Sequence, residues 1–391
     1  MSAWPTLNQI NRQMTLAGRE LASFVTRPVE RRWARRNQER YCNTFIAVTG
    51  SCGKSTTTYL VGRLLSPGGK RVVTGLYDNT PRWAMRALRR LDGPVEYVVQ
   101  EVSGHAPGSI GLVTSALRID VAVVTMVGLD HRARYRTAEA VAAEKGKLVS
   151  AIGVSGIACL NADDPLVHAM ASRSAGRVVL YGRAAIAEVR AEQVTAAWPA
   201  RLCFTLVVGD RRLAVRTRFV GTVMITNILA ALAVVHAMGH DIEPAVAALA
   251  DLEPLGDRLG VVSGTDQHTY LVDTYKAPFW ITKRLFEDLP NWGAGRRIVV
   301  LGDMSDLGSD NFRKYRQMLR KAGAASALAI GVGQAASQAR ILAAEFPNIV
   351  PAGSLQELRA ILHAQSASLV LLKSNKTYPL GEILTAGPEP L

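Results

Sequence analysis

Ile46-Ala-Val-Thr-Gly-Ser-Cys-Gly-Lys-Ser-Thr-Thr-Thr58 reads as a short apolar strand, a glycine-bearing loop and the start of a helix. Gly50 and Gly53 let the loop backbone turn its N–H groups toward phosphate oxygens. Lys54 can reach the terminal phosphates, and the Ser55 hydroxyl at the helix N-terminus can ligate magnesium. Thr49, Gly50, Ser51, Cys52, Gly53, Lys54, Ser55 and Thr56 are therefore the expected nucleotide-binding residues. The standard G-x-x-x-x-G-K-[ST] spacing is not met, because Val48 occupies the position of its first glycine.

Outward from this loop the chain alternates strand, turn and helix. Thr44–Thr49, Arg71–Thr74, Val95–Glu101, Asp120–Thr125 and Gly156–Leu160 are β-branched runs, separated by helix-length segments at Ser55–Leu65, Thr80–Leu91 and Ala138–Ile152. That alternation implies an α/β domain with a mostly parallel, doubly wound sheet. Between about 185 and 220 the period becomes strand-like around Gly209-Asp210, which suggests a small antiparallel insertion; helices follow at Thr222–Met238 and Ile242–Leu252. A second alternation starts near Val261 and runs through Tyr270–Asp273, Arg296–Gly302, Ala327–Ile330 and Ser368–Leu372. The expected organisation is a basic helical segment over 1–42, a central phosphate-loop domain over 43–257, and a Rossmann-like α/β domain over 258–391.

Composition bounds the function. With 391 residues, 48% apolar and 20% charged, the chain can bury more than one core. Its longest clear apolar run, Ile228–Val235, is far short of a bilayer span, and the first thirty residues carry no signal-peptide core, so a cytoplasmic protein without a transmembrane segment is expected. Cys42, Cys52, Cys159 and Cys203 form no C-x-x-C pair, which argues against a zinc site or a disulfide framework. The net charge of +14 favours polyanionic or carboxylated partners. Its sharpest concentration is Arg27-Pro-Val-Glu-Arg-Arg-Trp-Ala-Arg-Arg36. That stretch reads as a solvated amphipathic helix packed on the domain behind it, with a peripheral membrane-surface or partner contact as the alternative.

Further stretches, in order along the chain, resemble the Mur ligase family, closest in pattern to its muramoyl-tripeptide D-alanyl-D-alanine ligases. They are the shortened T-G-x-x-G-K-[ST] loop, Glu101-Val-Ser-Gly-His-Ala-Pro-Gly, Asp120 through His131, Ala143-Glu-Lys-Gly-Lys-Leu, Leu160-Asn-Ala-Asp-Asp-Pro, Asn227 with Ala230-Ala231, Arg258, Asp273-Thr-Tyr and Leu301-Gly-Asp-Met-Ser-Asp-Leu-Gly. The resemblance covers roughly residues 44–391. It implies an ATP-dependent, ADP-forming carboxylate–amine ligase that makes an amide through an acyl phosphate.

On the same ground, Lys54, Glu101, His131 and Lys145 are catalytic, and Ser55, Glu101, His131 and Lys145 hold two magnesium ions. Lys145 would do so as a carbamate, for which it must first lose its proton; Lys147 is the alternative lysine. Asn227 would contact adenine, Arg258 phosphate and Asp273 ribose, with Lys276 against an anionic substrate and the C-terminal domain closing over the nucleotide.

Three departures qualify the resemblance. Only 42 residues precede the phosphate loop domain, so a donor other than a UDP-sugar is expected; Val223-Met224 replaces a His-Asn pair; and Asp273-Thr-Tyr-Lys-Ala-Pro is one residue short. The partners implied are a small-molecule or peptide carboxylate and an amine acceptor, without nucleic acid. Alternatives are a polymerising ligase resembling poly-γ-glutamate or cyanophycin synthetases, a nucleic-acid-binding NTPase and an ATP-binding scaffold without turnover. Asn375-Lys-Thr-Tyr lacks the aspartate of a guanine-reading motif, and His236 with His240, one turn apart, is a weak metal candidate.

Overall fold

A computed structural model describes residues 28–77, 79–130, 134–292, 295–308 and 310–384. Two sheets organise them. The first has nine strands in the order β2-β3-β1-β4-β5-β6-β7-β8-β9. Their ranges are β1 Cys42–Thr49, β2 Val72–Gly75, β3 Val95–Glu101, β4 Val121–Val124, β5 Ile157–Asn161, β6 Arg177–Gly182, β7 Val189–Thr195, β8 Cys203–Val208 and β9 Arg211–Arg216. Strands β2 through β7 pair in parallel.

Such strands are covered on both faces, which is why β4 is Val-Ala-Val-Val with every residue buried. Phe45, Val98, Ala122 and Leu148 belong to the core beneath. Each large apolar side chain buried there contributes about 1.5–3 kcal/mol. The segment expected as an antiparallel insertion forms β7–β9, which extend this same sheet. A two-residue connection, Gly209-Asp210, joins the bonded neighbours β8 and β9 and permits only antiparallel pairing.

The second sheet has six strands in the order β10-β11-β15-β12-β13-β14, over Gly260–Ser263, Thr269–Asp273, Leu369–Lys373, Arg297–Leu301, Leu328–Gly331 and Ile349–Pro351. Only β10 runs antiparallel, against β11. Val300, Ile330, Val370 and Leu372 form its core. The chain divides into two compact units. One runs through Glu192 and takes in Leu206–Leu213 and Thr226–Val246; the other holds Gln193–Thr205, Ala214–Ile225 and the chain from Ala247.

Strands β6 and β14 were not expected. β14 has only three residues and ends in Pro351, and β6, Arg-Val-Val-Leu-Tyr-Gly, is apolar on successive residues, so neither carries a clear period-2 signal. The helix expected from Thr222 starts with a 3₁₀ turn, Thr222–Met224, and becomes α-helical at Ile225–Ala237. No helix among the described residues is long and apolar enough to cross a membrane.

Candidate active site

In the first sheet β1 lies between β3 and β4, with β2 and β3 on one side and the chain crossing over after β3 to β4 on the other, so ligands belong at the carboxyl ends of these strands. Register sets what stands there: Val48 lies beside Glu101, and Thr49 beside Val124. The loop after β1 leads into the helix Lys54–Leu65, whose N-cap Gly53 is left-handed at φ 84°. A Cβ on Gly53 would lie 2.1 Å from Asn227 Oδ1, and one on Gly50 would lie 1.9 Å from Thr125 Oγ1. Both glycines, at φ 150° and 84°, hold backbone conformations that other residues rarely adopt, and a Cβ at either would also displace a neighbouring side chain.

The first turn of that helix closes with Thr57 N donating to Gly53 O at 2.9 Å, so its amino end opens toward the loop. Lys54 Nζ donates to Gly50 O at 2.7 Å, folded back over the loop it would share with phosphate. Ser55 is buried on the first turn. This arrangement fits a triphosphate: a loop that turns through two glycines at positive φ, a helix amino end and one lysine converge on one spot.

Glu101 is buried at the end of β3, and its Oε1 accepts from Tyr77 N at 2.9 Å. The loop after β4 is tied to the phosphate loop through Ser51. Its hydroxyl lies 3.0 Å from Gly128 O and from Asp130 Oδ1 and accepts from Gly128 N, while Ser51 N donates to Met126 O at 2.8 Å. Thr125 Oγ1 donates to Cys52 O at 2.5 Å, and Asn161 Nδ2 holds Thr125 O at 2.8 Å. His131 lies outside the described residues.

Lys145 and Lys147 separate clearly. Lys145, on the helix Ala138–Ser150, has a side chain only 1% exposed, with Nζ 3.7 Å from the buried Asp130 Oδ2. Lys147 is 47% exposed and donates to Glu144 Oε2 at 2.6 Å. Glu144 also accepts from Gly108 N and Ile110 N, each at 2.9 Å, and so caps the helix Ser109–Ala116, which has no side-chain cap of its own. Among the described residues the buried Tyr135 hydroxyl has no hydrogen-bond partner, and burial, then Glu144 and Asp130, push its ionisation well above that of an ordinary phenol.

Asn227 stands against the phosphate loop helix, with Oδ1 3.5 Å from Thr57 Oγ1. In the second unit Asp273 ends β11 in register with Lys373. Lys373 Nζ, fully buried, donates to Asp273 Oδ2 at 2.6 Å and to Lys276 O at 2.8 Å. Arg258 stacks on Tyr275, its guanidinium carbon 3.9 Å from the ring centroid. Asp303, after β12, accepts from Gln334 N at 2.9 Å at the head of the helix Gln334–Leu342.

In the first unit Gly50–Thr56 follow β1 and Glu101 ends β3, while Lys145 and Asn227 stand on helices; in the second Asp273 ends β11, with Lys276 in the loop after it and Arg258 just before β10. Sequence reasoning missed Tyr77, Thr125, Asp130, Glu144 and Lys373, although Asp130, one residue before His131, lies inside a stretch already singled out. His236 and His240 do not share a site. His236 Nε2 meets Glu188 at 2.6 Å, whereas His240 meets the Tyr97 hydroxyl at 2.7 Å. Among the described residues no three acidic, histidine or cysteine side chains cluster as a metal site by themselves. Glu101 would have to share a cation with Ser55 and the phosphates.

Comparison with known proteins supplies the context for this arrangement. The Mur ligase middle domain matches residues 48–235, which contain the phosphate loop, Glu101, Lys145 and Asn227. The chain belongs to the Mur ligase family. It is 32% identical over 295 residues to the UDP-N-acetylmuramoyl-tripeptide--D-alanyl-D-alanine ligase of Mycobacterium tuberculosis, covering 71% of this chain and 56% of that protein. It is 33% identical over 259 residues to the UDP-N-acetylmuramoyl-L-alanyl-D-glutamate--2,6-diaminopimelate ligase of Geobacillus kaustophilus, covering 60% and 52%. The matches therefore span a little over half the length of these Mur ligases. The fold is that of the MurF ligase from Thermotoga maritima solved in complex with ADP, with TM-score 0.79 and 19% identity, covering 91% of this chain and 82% of that one.

Proposed function

We propose that this protein is an ATP-dependent carboxylate–amine ligase that forms an amide through an acyl phosphate. One observation carries the reading: a phosphate loop whose two glycines sit at positive φ shares one unit of a Mur ligase family chain with a buried carboxylate, Glu101, at the end of the adjacent strand and a buried lysine, Lys145.

In the first step a donor carboxylate oxygen attacks the γ-phosphorus; the new P–O bond forms as the bond to the β,γ-bridging oxygen breaks, and ADP leaves. In the second the amine nitrogen attacks the acyl carbon, the C–O bond to phosphate breaks, inorganic phosphate departs and the amine gives up a proton. Lys54 and the amino end of the helix Lys54–Leu65 neutralise the transferring phosphoryl group. Ser55, Glu101, His131 and Lys145 would hold two magnesium ions, whose role is to offset charge on the phosphates. A carbamate on Lys145 would place an anion close to Asp130, an arrangement that calls for a cation between them. Asn227, Arg258 and Asp273 are assigned to adenine, phosphate and ribose, and Lys276 to an anionic substrate, with the two parts of the chain divided at residue 257.

The relatives are named for UDP-N-acetylmuramoyl substrates, which argues against the expectation of a donor without a UDP-sugar, so both donor classes enter the test. Phosphate release from ATP is measured with pooled carboxylates, a UDP-muramoyl peptide among them, and pooled amines. Release that requires an acid and an amine together supports the ligase, and product masses separate one addition from polymerisation. Release driven by polynucleotide alone, or ATP binding without release under any condition, would overturn it.

A further inference from the structure

The arginine-rich helix Pro28–Tyr41 takes no part in the site described above. Its inner face is firmly placed: Ala34 and Gln38 are buried, and the Gln38 amide both donates to Arg118 O at 2.7 Å and accepts from Arg118 N at 3.0 Å. The outer face presents Val29, Trp33, Arg36 and Arg40, spaced by four, three and four residues and so aligned along one stripe. Val29 is 65% exposed and Trp33 61% exposed, in contrast to the burial usual for an indole. Arg32 and Arg35 flank the stripe. A hollow of about 220 Å³ is lined by Pro28, Arg31, Arg32 and Arg35 together with Ser115 and Ala116.

The neighbouring helix Pro81–Arg89 continues the basic surface. Arg82, Arg89 and Arg90 face outward, and Arg86 stacks on Trp83 at 4.5 Å. The only acids on the two helices are Glu30, which pairs with Arg89 at 3.3 Å, and Glu39.

We propose that this face rests on an anionic lipid bilayer. Trp33 and Val29 would enter the headgroup region, and the arginines, including Arg32 and Arg35 at the hollow, would pair with lipid phosphates. The chemistry favours a bilayer over a polynucleotide. An indole and a valine one turn apart protrude from a convex helix, where an interface accepts indole rings and guanidinium groups side by side. Single-stranded nucleic acid is instead tracked by a basic groove with serial aromatic platforms.

The full-length protein is sedimented with vesicles of phosphatidylcholine alone and of phosphatidylcholine mixed with phosphatidylglycerol. Binding to the mixed vesicles and not to the neutral ones is expected. Arg32→Gln with Arg36→Gln should weaken it about thirty-fold, from about 1 kcal/mol per arginine. Brominated acyl chains should quench fluorescence of the parent and lose that effect in Trp33→Phe. All three positions are exposed, so circular dichroism should match the parent. Equal binding to neutral vesicles, binding to neither, or undiminished binding by the arginine variant would overturn the proposal. So would retention on DNA or RNA that falls in these variants while vesicles go unbound.

Discussion

Lys54, Lys145 and Lys373 are three buried lysines in three different settings, and each setting makes its own demand. Lys54 lies over its own loop at 2.7 Å from Gly50 O, poised to exchange that carbonyl for a phosphate oxygen. Lys54→Met should lower ATP-driven phosphate release by about 10²–10³-fold, read in a steady-state assay, since one charge that stabilises the transferring group is lost. Lys145→Ala should abolish turnover, with partial recovery by added short carboxylates, whereas Lys147→Ala at a half-exposed ion pair should keep most of it. Equal losses in the two would remove Lys145 from its assigned role. Lys373 is a partner rather than a reactant: Lys373→Met leaves Asp273 against a buried apolar group and should lower stability by about 3 kcal/mol in urea unfolding. Combining it with Asp273→Leu should restore much of that loss, because no orphan charge then remains. Of these lysines, the first two were singled out in the sequence by motif and resemblance, and their burial came only with the structure. Lys373 was not, since its meaning comes from the register of β15 on β11, a pairing a hundred residues apart.

At the scale of elements, the loop between β1 and the helix Lys54–Leu65 is the best-specified part of the chain. Gly53→Ala should cost about 1–2 kcal/mol from its left-handed backbone alone, and more from the clash with Asn227, with ATP affinity falling alongside thermal stability. A loss of stability without a change in affinity would place the nucleotide elsewhere. The strands flanking it were readable because fully buried parallel strands are β-branched runs of the right length; β3 was expected at Val95–Glu101 and is found there. Capping of the helix Ser109–Ala116 by Glu144 was unreadable, since cap and helix are more than thirty residues apart.

His240, beyond the helix Ile225–Ala237, gives this level a pH test. Burial first, then Lys70, hold its pKa below the ordinary 6.5. The unfolded chain therefore takes up that proton first, and the stability attached to neutral His240 is present above pH 6.5 and lost as pH falls below it. His240→Gln should flatten the fall in melting temperature on acidification from neutral pH. An unchanged slope would show that other groups set it.

Across the whole molecule, the sequence conveyed the α/β class and both alternations, because hydrophobic period and glycine placement are local signals. Which strands neighbour one another was not local information, and neither was the extension of the first sheet to nine strands through β7–β9. The match to the Mur ligase middle domain covers residues 48–235 and so includes nearly all of the first alternation. The central claim is that ATP is spent on phosphorylating an acid. The most direct measurement is hydroxylamine trapping with the full chain, ATP, magnesium and pooled carboxylates in the absence of amine. The account predicts a hydroxamate whose formation requires both ATP and the acids and is lost in Lys54→Met. ADP formation without hydroxamate, unaffected by any acid, would contradict it.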